Sequence, residues 1–189
     1  MRIACLPLLL SALMLATPAL AVDDRFVKSA ANPKYGFLKV TDASYRKECG
    51  ACHFAYSPGM LTSDAWRLVM EAPNLAKHFG EEVKITPAQR ESILRYLTEN
   101  AAERSDYEGS KVFMERMSER KSTSQRVITV PHMATVHRSL WEIMKKSNTV
   151  QVRTLANCNA CHQKAEEGSY AYEEILVPGL TSSWGATLK

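Results

Sequence analysis

The sequence lacks the features that mark several large classes of protein. No phosphate-binding loop, Ser-His-Asp set or pair of carboxylates indicates hydrolytic or phosphoryl-transfer chemistry. The 24 basic and 20 acidic residues give a formal net charge of only +4, and no basic stripe gathers that excess. Residues 111–121 alternate in sign, as the solvated face of a helix does. Composition and charge therefore argue against nucleic-acid binding.

Long apolar runs are absent after the N-terminus. Arg2 precedes a leucine-rich run at 6–15, and Ala19-Leu20-Ala21 has the small-x-small pattern of a cleavage site. The run is too short to span a bilayer. We therefore interpret residues 1–21 as a secretory signal peptide that is cleaved after Ala21, with an uncleaved anchor as the alternative. The exported chain then has no membrane span.

Cysteine is scarce, and its positions are the most informative feature of the chain. Of five cysteines, Cys5 lies in the signal peptide, and the other four form two Cys-x-x-Cys-His motifs at 49–53 and 158–162. This pentapeptide is typical of c-type haem attachment: the two thiols add to the porphyrin vinyl groups, and the imidazole ligates the iron. A disulfide framework does not require a histidine after each pair. Structural zinc sites usually bring their pairs closer than the 105 residues between these.

The motifs predict two covalently bound haem c groups, and the histidines provide candidates for the remaining iron ligands. Cys49 and Cys52 attach the first haem, and Cys158 and Cys161 attach the second. His53 and His162 are then the proximal ligands.

Three histidines remain for the distal positions. His78 follows His53 by 25 residues, at a predicted helix end before Gly80, and we favour it as the second ligand of the first iron. His137 is favoured for the second iron, with His132 as the rival distal ligand. A methionine ligand would raise the reduction potential. Methionines at helical spacing are usually core residues, however, and this holds for the candidates Met60, Met70, Met133 and Met144.

The fold class is predicted as mainly α, with two small c-type haem-binding domains. The first, residues 22–104, is cytochrome c-like, and the second, residues 105–189, is less regular, with extended segments. Helices are expected at 43–54, from Ser63 or Asp64 to an interruption at Pro73, at 105–125 and at 134–146. The clearest helix begins with Thr86, Pro87 and Gln89, which form a capping box with proline at the first helical position.

Two further segments carry expectations about the second half. Residues 127–131 are predicted to be extended, because a β-branched run ends there at a proline. The helix at 134–146 places His137 on one apolar face with Val136, Leu140, Trp141 and Met144. The tail at 170–189 is expected to be irregular and to cover the second haem. The two halves share no similarity beyond the pentapeptide, so the chain is not a simple repeat.

Together these patterns resemble the bacterial diheme cytochrome c (DHC) family. The resemblance covers most of the chain after residue 21 and lies in the ordered set ECGACHFAYSP (48–58), HFGE (78–81), ILRYLTENAA (93–102), ITVPHMATVHR (128–138) and ANCNACHQKA (156–165). It implies that both irons are bis-histidine, with His78 opposite His53 and His137 opposite His162. His132 stands where the family has a bulky aromatic residue, which keeps it as the alternative to His137.

The predicted function is electron transfer, without catalysis. An iron held by two imidazoles has no vacant position and changes little in geometry between its oxidation states. The family resemblance implies a periplasmic carrier and redox protein partners, such as a membrane cytochrome b or a small oxygen-binding haem protein. The alternatives are a diheme peroxidase-like or ligand-binding enzyme, in which one haem is open, and an electron-transfer subunit of a periplasmic reductase.

Overall fold

A computed structural model describes residues 36–146, 148 and 150–180. The predicted signal peptide, the chain up to residue 35 and the last nine residues of the tail lie outside the described residues. Within those ranges the fold is mainly helical and has no strand, only isolated bridges between His78 and Glu81 and between His162 and Ile175. The α-helices are α1 (Ala43–Cys49), α2 (Ser63–Val69), α3 (Ala72–Leu75), α4 (Pro87–Glu99), α5 (Glu108–Glu119), α6 (Pro131–Val136) and α7 (Arg138–Lys146).

Short 3-10 helices occupy most of the connections. They are Pro58–Met60, Ala102–Arg104, Val127–Thr129, Cys158–Ala160, Ala165–Glu167 and Tyr172–Glu174. The mainly α class is therefore confirmed, and the part that follows α7 has 3-10 turns and no α-helix among its described residues. None of the helices in the described part of the chain has the length and apolar character that a membrane span requires.

Helix α4 begins as its sequence predicts. The Thr86 hydroxyl accepts from the backbone N–H of Gln89 at 3.2 Å, and the Gln89 side chain accepts from the backbone N–H of Thr86 at 2.9 Å. Two groups at the start of the helix that would otherwise lack partners are thus satisfied. The apolar stripe of α4 packs against α2, and Ile93 and Leu97 are completely buried.

The loop before α4 differs in detail from its prediction. Helix α2 was expected to begin at Ser63 or Asp64, and its N-cap is the residue before these, Thr62. The Thr62 side chain accepts from the backbone N–H of Ala65. Pro73 lies in the first turn of α3, which ends at Leu75. His78 therefore follows that helix in a tight turn, in which Phe79 has φ 49° and Gly80 has φ 112°. Glycine adopts that conformation at no steric cost. The prediction that His78 lies at a helix end before Gly80 was therefore wrong, because α3 has already ended at Leu75.

One core runs across the predicted domain boundary. Phe113 and Met117 of α5 are buried in the same apolar cluster as Ile93 and Leu97 of α4. Helix α5 also contacts the 3-10 helices Pro58–Met60 and Ala102–Arg104. The division into domains at 104/105 remains a prediction about how the chain is organised around its two motifs.

Residues 127–131 are not extended, so that prediction was wrong. Val127–Thr129 form a 3-10 turn, and Pro131 is the first residue of α6. Val127 and Val130 are both buried in the core, at 2% and 0% exposure, and the contacts of these two side chains outweigh the β-propensity of the run. Proline suits the first helical position, because its missing N–H would have no partner there.

The helix predicted at 134–146 is two helices, and His137 lies at their junction. The residue caps the C-terminus of α6 with its backbone N–H, and α7 begins at Arg138. The break divides the predicted apolar face: Leu140 is buried, whereas Val136 and Trp141 are 50% and 41% exposed. His137 therefore lies between the two helices and is not part of the buried face of either one.

Candidate functional site

The first motif follows directly from α1. Cys49 is the last residue of that helix, and Cys52 and His53 lie in the turn after it. The Nδ1 atom of His53 is 2.7 Å from the carbonyl oxygen of Phe54. When Nδ1–H donates to that carbonyl, the lone pair of Nε2 is left for a metal, which is the usual arrangement of a metal-binding histidine.

The structure brings His78 against His53. The centroids of the two rings are 6.2 Å apart, and the ring planes differ by only 20°. Two imidazoles that each bond one metal at about 2 Å have ring centres roughly 6 Å apart. Burial, the neighbouring His53 and the charge of Arg126 all lower the pKa of His78. The site therefore favours neutral imidazole, which is the form that binds metal.

The second motif is held by the tail of the described chain. His162 follows the 3-10 helix Cys158–Ala160 and donates its backbone N–H to the Cys158 carbonyl at 2.8 Å. Leu176 donates to the carbonyl of Cys161 at 2.9 Å, so residues 174–176 run beside the motif. The Nδ1 atom of His162 is buried and has no hydrogen-bond partner among the described residues.

His137 is the ring that the structure places opposite His162. The ring centroids are 6.1 Å apart, and the planes are inclined by 69°. The Nδ1 atom of His137 lies 3.1 Å from the Met133 carbonyl, which orients the other nitrogen away from α6. Burial lowers the pKa of His137, and burial together with His137 lowers the pKa of His162 to about 4.

His132, the rival ligand, lies in a different environment. Its side chain is 9% exposed in the first turn of α6, and its ring centroid is 5.5 Å from that of Phe113 in α5. The residue thus contributes to packing between these helices, as the bulky aromatic expected at this position would.

The four motif cysteines form no disulfide with one another and differ in exposure. Cys52 is exposed, Cys49 and Cys161 are partly buried, and Cys158 is buried. Burial raises the pKa of Cys49 and of Cys158 to about 12. Within the described ranges, no group of three or more His, Cys, Asp or Glu residues is placed to hold a bare metal ion. The paired thiols and facing imidazoles fit a haem better than a zinc ion.

The surroundings of the two motifs are in direct contact. Phe54 donates its backbone N–H to the Ala156 carbonyl at 3.3 Å, and its side chain packs with Cys158 and Ala165. A cavity of about 620 Å³ extends between residues 50–55 and residues 157–160. The two haem sites are therefore neighbours, although the two motifs are far apart in the sequence.

Two tyrosines line these sites. The Tyr56 ring stacks on His53 at 4.9 Å and 24°, and the Tyr170 ring lies 5.0 Å from His162. Tyr170 was missed in the sequence because nothing local distinguishes it from other tyrosines of the tail. Among the other aromatic residues, Trp66 belongs to the core and donates its ring N–H to the Pro58 carbonyl at 2.8 Å.

Two haem-attachment motifs, each with a second imidazole opposite its own, define the protein as a c-type cytochrome with two haems. Residues 45–170 match the model of the dihaem cytochrome c family, and the chain belongs to that family. It therefore carries two covalently bound c-type haems and functions in electron transfer.

Solved structures of dihaem cytochromes are similar to this chain. DHC purified from Rhodobacter sphaeroides is 31% identical, with a TM-score of 0.53 over 70% of this chain and 100% of that one. A second structure, the diheme cytochrome c from Rhodobacter sphaeroides, is 32% identical, with a TM-score of 0.57 over 70% and 99% of the two chains. The Shewanella baltica OS155 protein sb-DHC is 25% identical, with a TM-score of 0.55 over 73% and 94%. Comparison with the curated proteins gave no match.

Proposed function

We propose that this protein is a periplasmic electron carrier in which each haem iron has two histidine ligands. His53 and His78 hold the first iron, and His162 and His137 hold the second. The main support for the proposal is that the two rings within each pair have the same separation: the centroid distance is 6.2 Å in the first pair and 6.1 Å in the second. The rings in each pair come from segments that are far apart in sequence, so local chain geometry does not produce this match.

Such coordination suits electron transfer. Each haem supplies a reversible one-electron iron couple, and two imidazoles leave no position at which a substrate or gas can bind. Burial lowers the pKa of His78, of His137 and of His162 and so favours their neutral forms. The carbonyls of Phe54 and Met133 orient His53 and His137. Little rearrangement is then needed when the iron changes oxidation state.

The contact between the two sites supports electron exchange within the molecule. Phe54 and Cys158 pack directly, with Tyr56 and Tyr170 against them. Because Cys158 is an attachment residue of the second haem and Phe54 follows a ligand of the first, the packed cluster joins the two sites. With haems attached at Cys49 and Cys52 and at Cys158 and Cys161, this cluster would lie between two one-electron centres and would favour electron exchange between them.

The location and partners form part of the same proposal. Export depends on the signal peptide at 1–21, with cleavage after Ala21 and release into the periplasm, where haem is attached to the reduced motifs. The redox partners are other proteins, either a membrane cytochrome b or a small oxygen-binding haem protein, as the family resemblance implies.

The experiment combines mass and spectroscopy of the purified holoprotein. Intact mass should show two added haems on a chain that begins at residue 22. Optical spectra should be low-spin in both oxidation states, and the reduced protein should not bind carbon monoxide rapidly. High-spin bands or fast carbon monoxide binding by the unmodified protein would instead indicate an open haem and an enzyme or ligand-binding function. A His78→Ala variant, which opens one site, provides the positive control for that assay.

A further inference from the structure

A positively charged side chain lies next to the distal ligand of the first site. The Arg126 guanidinium carbon is 4.6 Å from the centroid of the Phe79 ring, and that ring is 4.8 Å from the His78 ring. Phe79 directly follows His78 in the tight turn and is 54% exposed. A cation over an aromatic face is attracted by the ring's charge distribution, so Phe79 holds Arg126 close to His78.

Among the described residues, no carboxylate lies within ion-pair distance of Arg126. A comparable arrangement occurs on α7, where Lys145 lies over the Trp141 ring at 5.3 Å; Trp141 comes one helical turn after His137, and Lys145 comes two turns after it. There, Lys145 pairs with Glu142 at 3.1 Å, and the solvated Lys146 approaches the same carboxylate at 3.9 Å. Lys145 thus has an acidic partner, whereas Arg126 has none among the described residues.

Starting from the proposed ligand assignment, we propose that Arg126 is a positioning residue for electron transfer that raises the reduction potential of the first haem. A ferric haem carries one more positive charge than a ferrous haem. A fixed cation nearby therefore destabilises the oxidised form, and its effect falls with distance and with salt.

The test is an optical redox titration of the holoprotein at low salt, fitted to two one-electron steps. Arg126→Gln should lower the equilibrium constant for reducing one haem about fivefold. At 59 mV per tenfold change, this is a decrease of about 40 mV in the reduction potential of that haem. The other step should stay in place. Arg126→Lys should restore most of the loss, because it keeps the charge. Lys145→Gln is the matched control, since it removes a cation that also lies over an aromatic ring but belongs to α7, outside the first site, and it should leave the step of the first haem in place.

The shifted step is assigned to the first haem with a His78→Met background, in which that haem's potential is raised and its step is displaced. Raising the salt concentration should reduce the difference between the unmodified protein and Arg126→Gln. The inference is overturned if Arg126→Gln moves neither step or both equally, or if Arg126→Lys behaves like Arg126→Gln. Low-spin spectra in every variant with both histidines intact test the ligand assignment separately, so a failure there is distinguishable from a failure of the Arg126 inference.

Discussion

The rings of His53 and His78 are nearly parallel, with 20° between their planes, and in this they differ from the other facing pair of histidines. The rings of His137 and His162 are inclined by 69°. Nearly parallel ligand planes separate the energies of the two iron d orbitals that interact with them, whereas strongly inclined planes leave those orbitals close in energy. The two haems should therefore differ in magnetic properties even with identical ligands.

Electron paramagnetic resonance of the fully oxidised protein tests this difference. We expect two low-spin signals of equal intensity: a rhombic signal from the first haem and a strongly anisotropic signal with a large maximal g value from the second. Loss of the rhombic signal in His78→Met would assign it to the first site. Two identical signals would contradict the ring angles of the structure.

Replacement of each distal histidine by methionine should raise the potential of one haem only. Methionine with histidine gives a higher potential than two histidines. In a redox titration we expect His78→Met to shift one step and His137→Met to shift the other, with attachment intact by mass. His132→Met serves as the control, because His132 packs against Phe113, and it should leave both steps in place. A spectrum that changes with His132→Met and not with His137→Met would reverse the assignment at the second site.

Acidification should weaken the second site. Burial lowers the pKa of His162 to about 4, below its usual value near 6.5. Because the folded state favours the neutral ring, the stability it contributes is complete above about pH 6.5 and is lost as the pH falls towards about 4. Iron binding acts in the same direction, since a protonated imidazole cannot coordinate metal.

The measurement is the urea midpoint of the holoprotein between pH 7 and pH 4, followed together with the low-spin absorbance. We expect both to decline over this interval. A midpoint that is constant throughout would show that His162 is not buried in its neutral form.

The cap of α4 should contribute measurably to stability. Thr86→Ala removes the hydroxyl that accepts from the backbone N–H of Gln89, and such substitutions cost about 1 kcal/mol in the free energy of unfolding. Thr86→Ser retains the hydroxyl and is the matched control. Chemical denaturation of both variants, with spectra to show unchanged haem ligation, checks the prediction. Equal midpoints for the two variants would mean that the cap is not formed in solution.

The features that the sequence predicted correctly are mainly local ones. The capping box of Thr86 and Gln89 needs only neighbouring residues, and so do the two attachment motifs. Residues 127–131 were predicted wrongly because β-propensity describes a half-buried pleated surface, whereas Val127 and Val130 are buried against helices. Tertiary packing decided the conformation of that segment.

The pairing of the histidines depends on more than local sequence. Spacing made His78 a reasonable partner for His53, but His132 and His137 are only five residues apart, and spacing alone could not separate them. What separates them is the junction between α6 and α7, which places the His137 ring opposite His162, while His132 packs with Phe113. Arg126 was also beyond prediction, since its proximity to Phe79 joins segments 47 residues apart.

The burial of Cys158 has a consequence for how the protein is made. In the folded chain this thiol is only 7% exposed and is covered by Phe54 and the aromatic residues around it, whereas Cys52 is open to solvent. A porphyrin vinyl group can reach Cys158 only while those segments are still apart. We therefore expect the thioether bond at Cys158 to form on an open chain, before the two halves close around it.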